Sequence, residues 1–464
     1  MRLALLALLA LTALRLVLAA SLPLAPDEDY YLLWAQHLQP GYFDHPPMVA
    51  LWIKAGTMIC GNTALGVRLF GPLGTAIGSL FLWDAAEQLA PGRGLVAAWL
   101  LNATLLIGAG AVIMTPDTPL LFFWTAGLAA LARLIGAGNP RWWLAVGLAA
   151  GAMLLSKYTA LLFIAAVFLW LATNEDGRKR LATPWPWAAM LLALLIFSPN
   201  IAWNAAHGWA SYLKQGGREG AFNPGRAAQF LFELVAGQIG LCTPLIAGLA
   251  GLGLWRLRRD TSPAARLLVW LTIVPGVVML EHVLSDRVQS NWVAIMYPAA
   301  CLAAAMLPAE ILQRWFKPAL AMGFGCTALV YVQAVAHPVP LPASMDTAGQ
   351  KLAGWRDFAG QAMASHPAFI TSYDYATLSV LAVDGPRDVP VVGFTHQHDW
   401  RWRYFGYQQA VPPGTLGILV SRDRHDACPV VLGLVTRHRG PEEFPAYRLC
   451  QMTAKGESFI LPRP

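Results

Sequence analysis

Charge is scarce in this sequence. Asp, Glu, Lys and Arg supply 13% of the 464 residues, roughly half the share usual in soluble globular domains. Apolar residues supply 56%, and that much apolar surface must be met by lipid as well as by a protein core. A single soluble domain is excluded. Internal repetition is also missing: no solenoid period recurs, and no two halves match as they do in many transporters. Cysteine is sparse, with six residues. Cys60, Cys242, Cys301 and Cys326 fall in or beside apolar segments, where the thiol acts as a small hydrophobe. Cys428 and Cys450 lie in the polar C-terminal region. They are a disulfide pair if that region is extracytoplasmic, or two unrelated buried thiols.

A bilayer core about 30 Å thick needs about 20 apolar residues in a helix. This ruler predicts spans at 3–20, 62–83, 95–113, 119–136, 142–156, 159–173, 186–203, 228–250, 264–282, 291–307 and 319–337. Ala19-Ala20 before Ser21 resembles a signal-peptide cleavage site. Arg15 interrupts that apolar run, however, and the following loop carries the chemistry, so the segment is read as a retained span. The net charge of +7 sits in clusters between apolar runs, which fits the positive-inside rule and not a nucleic-acid stripe. With a cytoplasmic N-terminus, one set of loops carries Arg93, Arg141, Arg178-Lys179-Arg180, Arg256, Arg258, Arg259, Arg314 and Lys317. The opposite loops are poor in basic residues and hold the unusual polar motifs. The expected architecture is a polytopic α-helical membrane protein of about eleven spans. Residues 1–337 form the transmembrane part, with a first external loop at 21–61. Residues 338–464 follow a Pro-rich linker as a small extracytoplasmic α/β domain, with an amphipathic stretch near 347–365 and strand-like runs at Ala368–Ser372, Val389–Val392 and Thr415–Val420.

The most informative stretch is 26–52, PDEDYYLLWAQHLQPGYFDHPPMVALW. A carboxylate cluster at a membrane surface is costly unless solvated, paired or used, so Asp27, Glu28 and Asp29 either cap the next helix or do chemistry. Tyr30 and Trp34 are one helical turn apart and share a face. Tyr42-Phe43-Asp44-His45-Pro46-Pro47 packs aromatics, a carboxylate and an imidazole into six residues, with the prolines setting a helix start. Farther along, Lys157 and Arg287 supply cations suited to a phosphate at headgroup depth, although Lys157 is equally placed to snorkel. Arg15, Arg68, Asp84, Glu87, Glu233, Glu281 and His282 lie in or near spans, where ionisable groups face a cavity or pair with one another. The segment Thr395-His396-Gln397-His398-Asp399 is a metal-binding His-x-His or an exposed polar loop.

DE-x-YY-x-x-W followed by GYFDHPP resembles the first external loop of the dolichyl-phosphate-mannose protein mannosyltransferase superfamily, of the GT-C fold. It is similar in particular to the bacterial membrane branch that includes aminoarabinose transferases acting on lipid A. Thr115-Pro116-Asp117-Thr118-Pro119, Ser156-Lys157-Tyr158-Thr159, Asn204 with His207-Gly208-Trp209, Phe222-Asn223-Pro224 and Asp286–Trp292 resemble later motifs in the same order. Gly354-Trp355-Arg356 and Ser372-Tyr373 match loosely.

The resemblance implies an inverting glycosyltransferase of the bacterial inner membrane, with residues 338–464 periplasmic. The donor would be a polyprenyl-phosphate sugar and the acceptor a lipid A or core sugar, another glycan or a lipid. Asp27 would be the base, with Glu28 orienting the acceptor or holding Asp27. His45, Lys157 and Arg287 would serve the donor phosphate. Asp117, Tyr30, Tyr42, Asp44 and Asn291 would complete the substrate site. His45 stands where several relatives carry Lys, which would make a cation there pH-dependent. No cofactor or metal is expected; a divalent ion on Asp27 and Asp117 is the alternative. A glycolipid flippase or a ligase of lipid-linked oligosaccharides are the competing functions.

Overall fold

The computed structural model describes residues 2–217, 222–394, 400–405, 410–423, 426–440 and 442–464. The His396–His398 segment lies outside the described residues. All eleven segments expected to span the membrane are helical. Six belong to helices long and apolar enough to cross a bilayer alone: Arg2–Ser21, Ala64–Leu89, Asp117–Gly136, Pro184–Ala206, Pro263–His282 and Ala309–Ala336. Two belong to bent pairs, Tyr158–Ala172 with Glu175–Leu181 at 112° and Pro224–Cys242 with Pro244–Leu257 at 103°. The others are shorter, namely Gly94–Ala103 followed by Leu105–Gly110, Trp142–Ser156 and Ser290–Ala305.

Two of the predicted spans are therefore broken, for local reasons. Within 95–113, Thr104 turns extended (ψ 137°) and its hydroxyl caps the next helix at Ile107 N. Within 228–250, Thr243 adopts φ +67° ahead of Pro244, which has no N–H to continue the ladder.

The chain divides into two compact units, of which the first comprises Met1–Val17, His45–Val49 and Phe70–Leu329. Its core is an apolar cluster that includes Trp124, Leu128, Met153, Phe163 and Trp170. The helix Trp142–Ser156 lies against Pro184–Ala206. Gly147 permits that approach, because a Cβ there would stand 2.4 Å from the Ala189 carbonyl oxygen.

The second unit is not a simple continuation after residue 337. It unites Leu18–Asp44, Ala50–Leu69 and Val330–Pro464, so most of the expected first external loop is built together with the C-terminal region. That loop contains two helices, Pro26–Gln36 and Met48–Cys60, the latter starting directly after Pro46-Pro47. The C-terminal region carries a four-stranded mixed sheet. Ile370–Thr371 runs parallel to Leu416–Ser421, which pairs antiparallel with Tyr447–Thr453, and this last pairs antiparallel with Val431–Val435. The amphipathic stretch becomes helices Thr347–Leu352 and Trp355–Ala362. The strand expected at Val389–Val392 lies slightly later, at Val392–Phe394 against Ser458–Ile460. The helix Tyr375–Asp384 was not apparent in the sequence.

Cys428 and Cys450 are joined in a disulfide, with Cα atoms 5.2 Å apart, while the remaining four cysteines are free. Alkylation of the denatured, unreduced protein is expected to add four thiol labels by mass spectrometry, and six after reduction.

Candidate active site

The helix Pro26–Gln36 starts without a side-chain cap, since its N-cap residue is Ala25. Asp27 is thus a first-turn residue and not a cap. Glu28, at the third position, reaches back to accept from Ala25 N at 2.9 Å. Both Glu28 oxygens also meet Arg68, whose Nε and Nη2 donate at 2.7 and 2.5 Å. Neither side chain has any exposure. Arg68 goes on to donate to the carbonyls of Ala19, Leu22 and Pro23. A buried guanidinium is tolerable only when its donors and charge are matched in this way. Glu28 is therefore a structural strut, closed to solvent.

Asp27 is the member of the acidic triplet that keeps solvent access; Glu28 and Asp29 are fully buried. Its Oδ1 accepts from the Tyr375 hydroxyl at 2.7 Å. Burial, followed by the Asp27 charge, pushes the Tyr375 phenol upward, so it remains a donor. Arg401 stacks on the Tyr375 ring at 4.0 Å and donates through Nε to Asp44 at 2.7 Å. Tyr30 donates to the same Asp44 oxygen at 2.9 Å and packs on Tyr375 with ring centroids 4.9 Å apart. Tyr42 stacks on Trp34 at 4.1 Å and bonds the Trp34 carbonyl oxygen. The second unit thus gathers Asp27, Tyr30, Tyr42 and Asp44 from the predicted set. It adds Tyr375 and Arg401, which no local motif marked.

Beside Asp27 opens a cavity of about 560 Å³ whose lining includes Lys351, Trp355, Tyr375, Arg422 and Tyr447. It combines cations, aromatic faces and two accessible carboxylates, Asp27 and Asp374.

The first unit holds the other predicted residues. Asp117 opens the helix Asp117–Gly136; its two oxygens accept from Lys157 Nζ at 2.7 Å and Asn291 Nδ2 at 2.6 Å. Lys157 lies at the extended break after Trp142–Ser156 and faces the Trp292 ring at 5.3 Å. Only 8% of its side chain is exposed, so it is held and does not snorkel. Arg287 is half-exposed and bound by Glu233 through Nε at 2.7 Å, apart from the contacts around Asp117. His45 is partly buried in this unit. Next to Lys157, Tyr158 enters a polar cluster with Asn200, Asn204 and Ser211. Tyr158 also lines an apolar cavity of about 670 Å³ together with Val146, Ala150, Leu161, Phe197 and Ile201. Of the other ionisable groups near spans, Asp84 is bound by Arg133 at 2.6 Å and Arg15 donates to Asn102 at 2.8 Å.

Residues 44–203 match the family model described as dolichyl-phosphate-mannose-protein mannosyltransferase. That stretch includes Asp44–Pro47, Asp117 and Lys157, and starts after Asp27 and Glu28. The lipid A galacturonosyltransferase RgtD of Rhizobium johnstonii is 27% identical over 287 residues, 61% of this chain. The match spans about 60% of that relative's length. The fold is that of ArnT from Cupriavidus metallidurans. Its apo structure gives a TM-score of 0.66 at 17% identity, covering 96% of this chain and 97% of that one. The structure of the same protein bound to undecaprenyl phosphate gives 0.67 at 15% identity, with the same coverage.

Glu28→Gln leaves the Arg68 charge buried without its counter-ion and is expected to cost about 3–5 kcal/mol of stability, whereas Asp27→Asn is expected to leave the unfolding temperature in detergent unchanged. A second expectation concerns Asp29, whose carboxyl is raised well above its ordinary value, first by burial and then by Asp384. The native state therefore binds a proton that the unfolded chain releases. Stability from this group is full below the ordinary aspartate range and is lost as pH rises through the raised value. Asp29→Asn should raise the unfolding temperature by a few degrees at neutral pH, with a gain that vanishes as pH falls toward about 3.9. A gain independent of pH would contradict the assignment.

Proposed function

Because residues 44–203 match the dolichyl-phosphate-mannose-protein mannosyltransferase family model, we propose that the chain is an inverting membrane glycosyltransferase that moves a sugar from a polyprenyl-phosphate carrier to an acceptor hydroxyl outside the cytoplasm. The observation that carries this reading is the contrast within one helical turn. Of three successive carboxylates, Asp27 alone is accessible, and its Oδ1 is held by Tyr375 while Oδ2 remains to receive a proton. Asp27 is the general base. It takes the acceptor proton as the acceptor oxygen attacks the anomeric carbon from the face opposite the phosphate. The bond from the anomeric carbon to the phosphate oxygen breaks, and the lipid phosphate leaves with the electron pair.

Charge on the departing phosphate calls for fixed cations. Lys157, oriented by Asp117 and Asn291, is assigned that role, with Arg287 and His45 as supporting donor contacts. The apolar cavity that Tyr158 lines next to Lys157 suits the first isoprene units of the carrier. ArnT, which shares the fold, has been crystallised with undecaprenyl phosphate, and this supports the donor class. No metal is assigned to the transfer step.

The cavity beside Asp27 favours an anionic acceptor sugar, because Lys351 and Arg422 line it with aromatic faces. A lipid A or core glycolipid meets that description, and the galacturonosyltransferase relative is named for lipid A. The disulfide in the C-terminal region fits an oxidising compartment, which supports a periplasmic domain and a cytoplasmic N-terminus in a bacterial inner membrane.

The test is transfer from radiolabelled polyprenyl-phosphate sugars to membrane glycolipid extract by the reconstituted protein. Asp27→Asn is expected to lower the rate by about 10²–10⁴-fold with normal insertion, and Tyr375→Phe to lower it less. Undiminished transfer by Asp27→Asn removes it as the base.

A further inference from the structure

At the C-terminal end of the long helix Ala309–Ala336 stands a cluster that the transfer reaction does not use. His337 follows the helix with φ +47°, the left-handed position that Gly or Asn usually fills at a helix end. Its Nε2 lies 3.5 Å from Asp346 Oδ2 and 3.3 Å from Glu442 Oε2. The three donor atoms all lie within 4.8 Å of one another. They come from a helix end, from the turn that leads into Thr347–Leu352, and from the short strand Glu442–Glu443, all within the second unit.

The environment argues against an ordinary polar contact. The Glu442 side chain is 8% exposed, yet both of its oxygens lack a hydrogen-bond partner among the described residues, as does His337 Nε2. Asp346 is also buried and is fixed from outside the cluster. Its Oδ1 accepts from Gly349 N at 2.9 Å and its Oδ2 from Arg439 Nη1 at 2.9 Å. Arg439 is in turn anchored on the carbonyls of Gln333 and Ala334.

The spacing distinguishes two accounts. A protonated imidazole paired with a carboxylate closes to about 2.7–2.9 Å. Ligands bound about 2.1 Å from a tetrahedral ion stand about 3.4 Å apart, which the two observed separations straddle. One imidazole nitrogen with two carboxylate oxygens is a donor set for zinc or a similar divalent transition ion, and not for calcium or magnesium, which take oxygen ligands. The hydrogen bonds from Gly349 and Arg439 to Asp346 are the outer support that ligating carboxylates usually have.

We propose that His337, Asp346 and Glu442 form a structural zinc site that ties the end of this helix to the C-terminal domain. The fourth position is left to water. The ion joins the end of the long helix, the turn before Thr347–Leu352 and the strand Glu442–Glu443, so its contribution is to the order of the linker and not to the transfer step.

The test uses the tag-free, full-length protein in detergent. Purified from zinc-supplemented medium into metal-free buffer, it should carry about one equivalent of zinc by elemental analysis, the count expected of a single site. EDTA should lower its unfolding temperature, and added zinc should restore it. His337→Asn keeps a residue that tolerates the left-handed backbone, and Glu442→Gln keeps the shape. Each should lose the zinc and the response to EDTA while still folding, and His337→Cys should regain a metal with preference for cadmium. Wild-type protein that takes up no zinc, or variants that keep it, would overturn the proposal. An unfolding temperature blind to EDTA and zinc, and rising as pH falls through the histidine range, would assign the cluster instead to protonated His337 between two carboxylates.

Discussion

The buried Arg68–Glu28 pair is the constraint around which the candidate site is arranged. One guanidinium ends three carbonyls left over where the first helix stops and also neutralises an acid in the first turn of the next. The backbone between Ala19 and Glu28 is thereby held at both ends, with Asp27 beside the buried pair. Two adjacent acids thus differ in surroundings, one dry and matched, the other open to solvent and held by Tyr375. Environment, more than residue type, divides the roles.

The accessible carboxylate is partnered from far away in the chain. Tyr375 and Arg401 reach the first loop from the C-terminal region, and the contacts run from Asp27 through the Tyr375 ring and Arg401 to Asp44 and Tyr30. Each member is held by a neighbour, so the hydroxyl on Asp27 has a defined direction. In the first unit Lys157 is similarly fixed by Asp117, with Asn291 holding the other carboxylate oxygen. Preorganised charge of this kind needs little rearrangement during reaction.

Much of this was legible in the sequence, because membrane helices and local motifs leave short-range marks. All eleven apolar segments are helical, Pro46-Pro47 precedes a helix, and Tyr30 and Trp34 share a face with centroids 4.9 Å apart. Asp117, Lys157 and Asn291 were named separately and meet in space. The breaks at Thr104 and Thr243 escaped, since an apolar run hides both a hydroxyl that turns inward to cap, as at Thr104, and a backbone turned to positive φ ahead of a proline, as at Thr243. The pairing of Glu28 with Arg68 escaped because it joins positions 40 apart, and a carboxylate in a motif reads alike whether it is strut or reagent. Tyr375 escaped for the same reason at greater range, as did the merging of the first loop with the C-terminal region.

That merging has a consequence for biogenesis. The hydrogen bond on Asp27 joins residues 348 positions apart, and the unit containing it is assembled from three separated pieces of chain. While the ribosome is still working through the helical bundle, Asp27 has already been made but has no tyrosine to aim it. The surroundings of Asp27 are therefore complete only once the late segments have folded with the early one. With Asp27 as the proposed base, a newly inserted molecule stays inert through most of its synthesis, and damage to the distal region silences chemistry whose acid was laid down at the start.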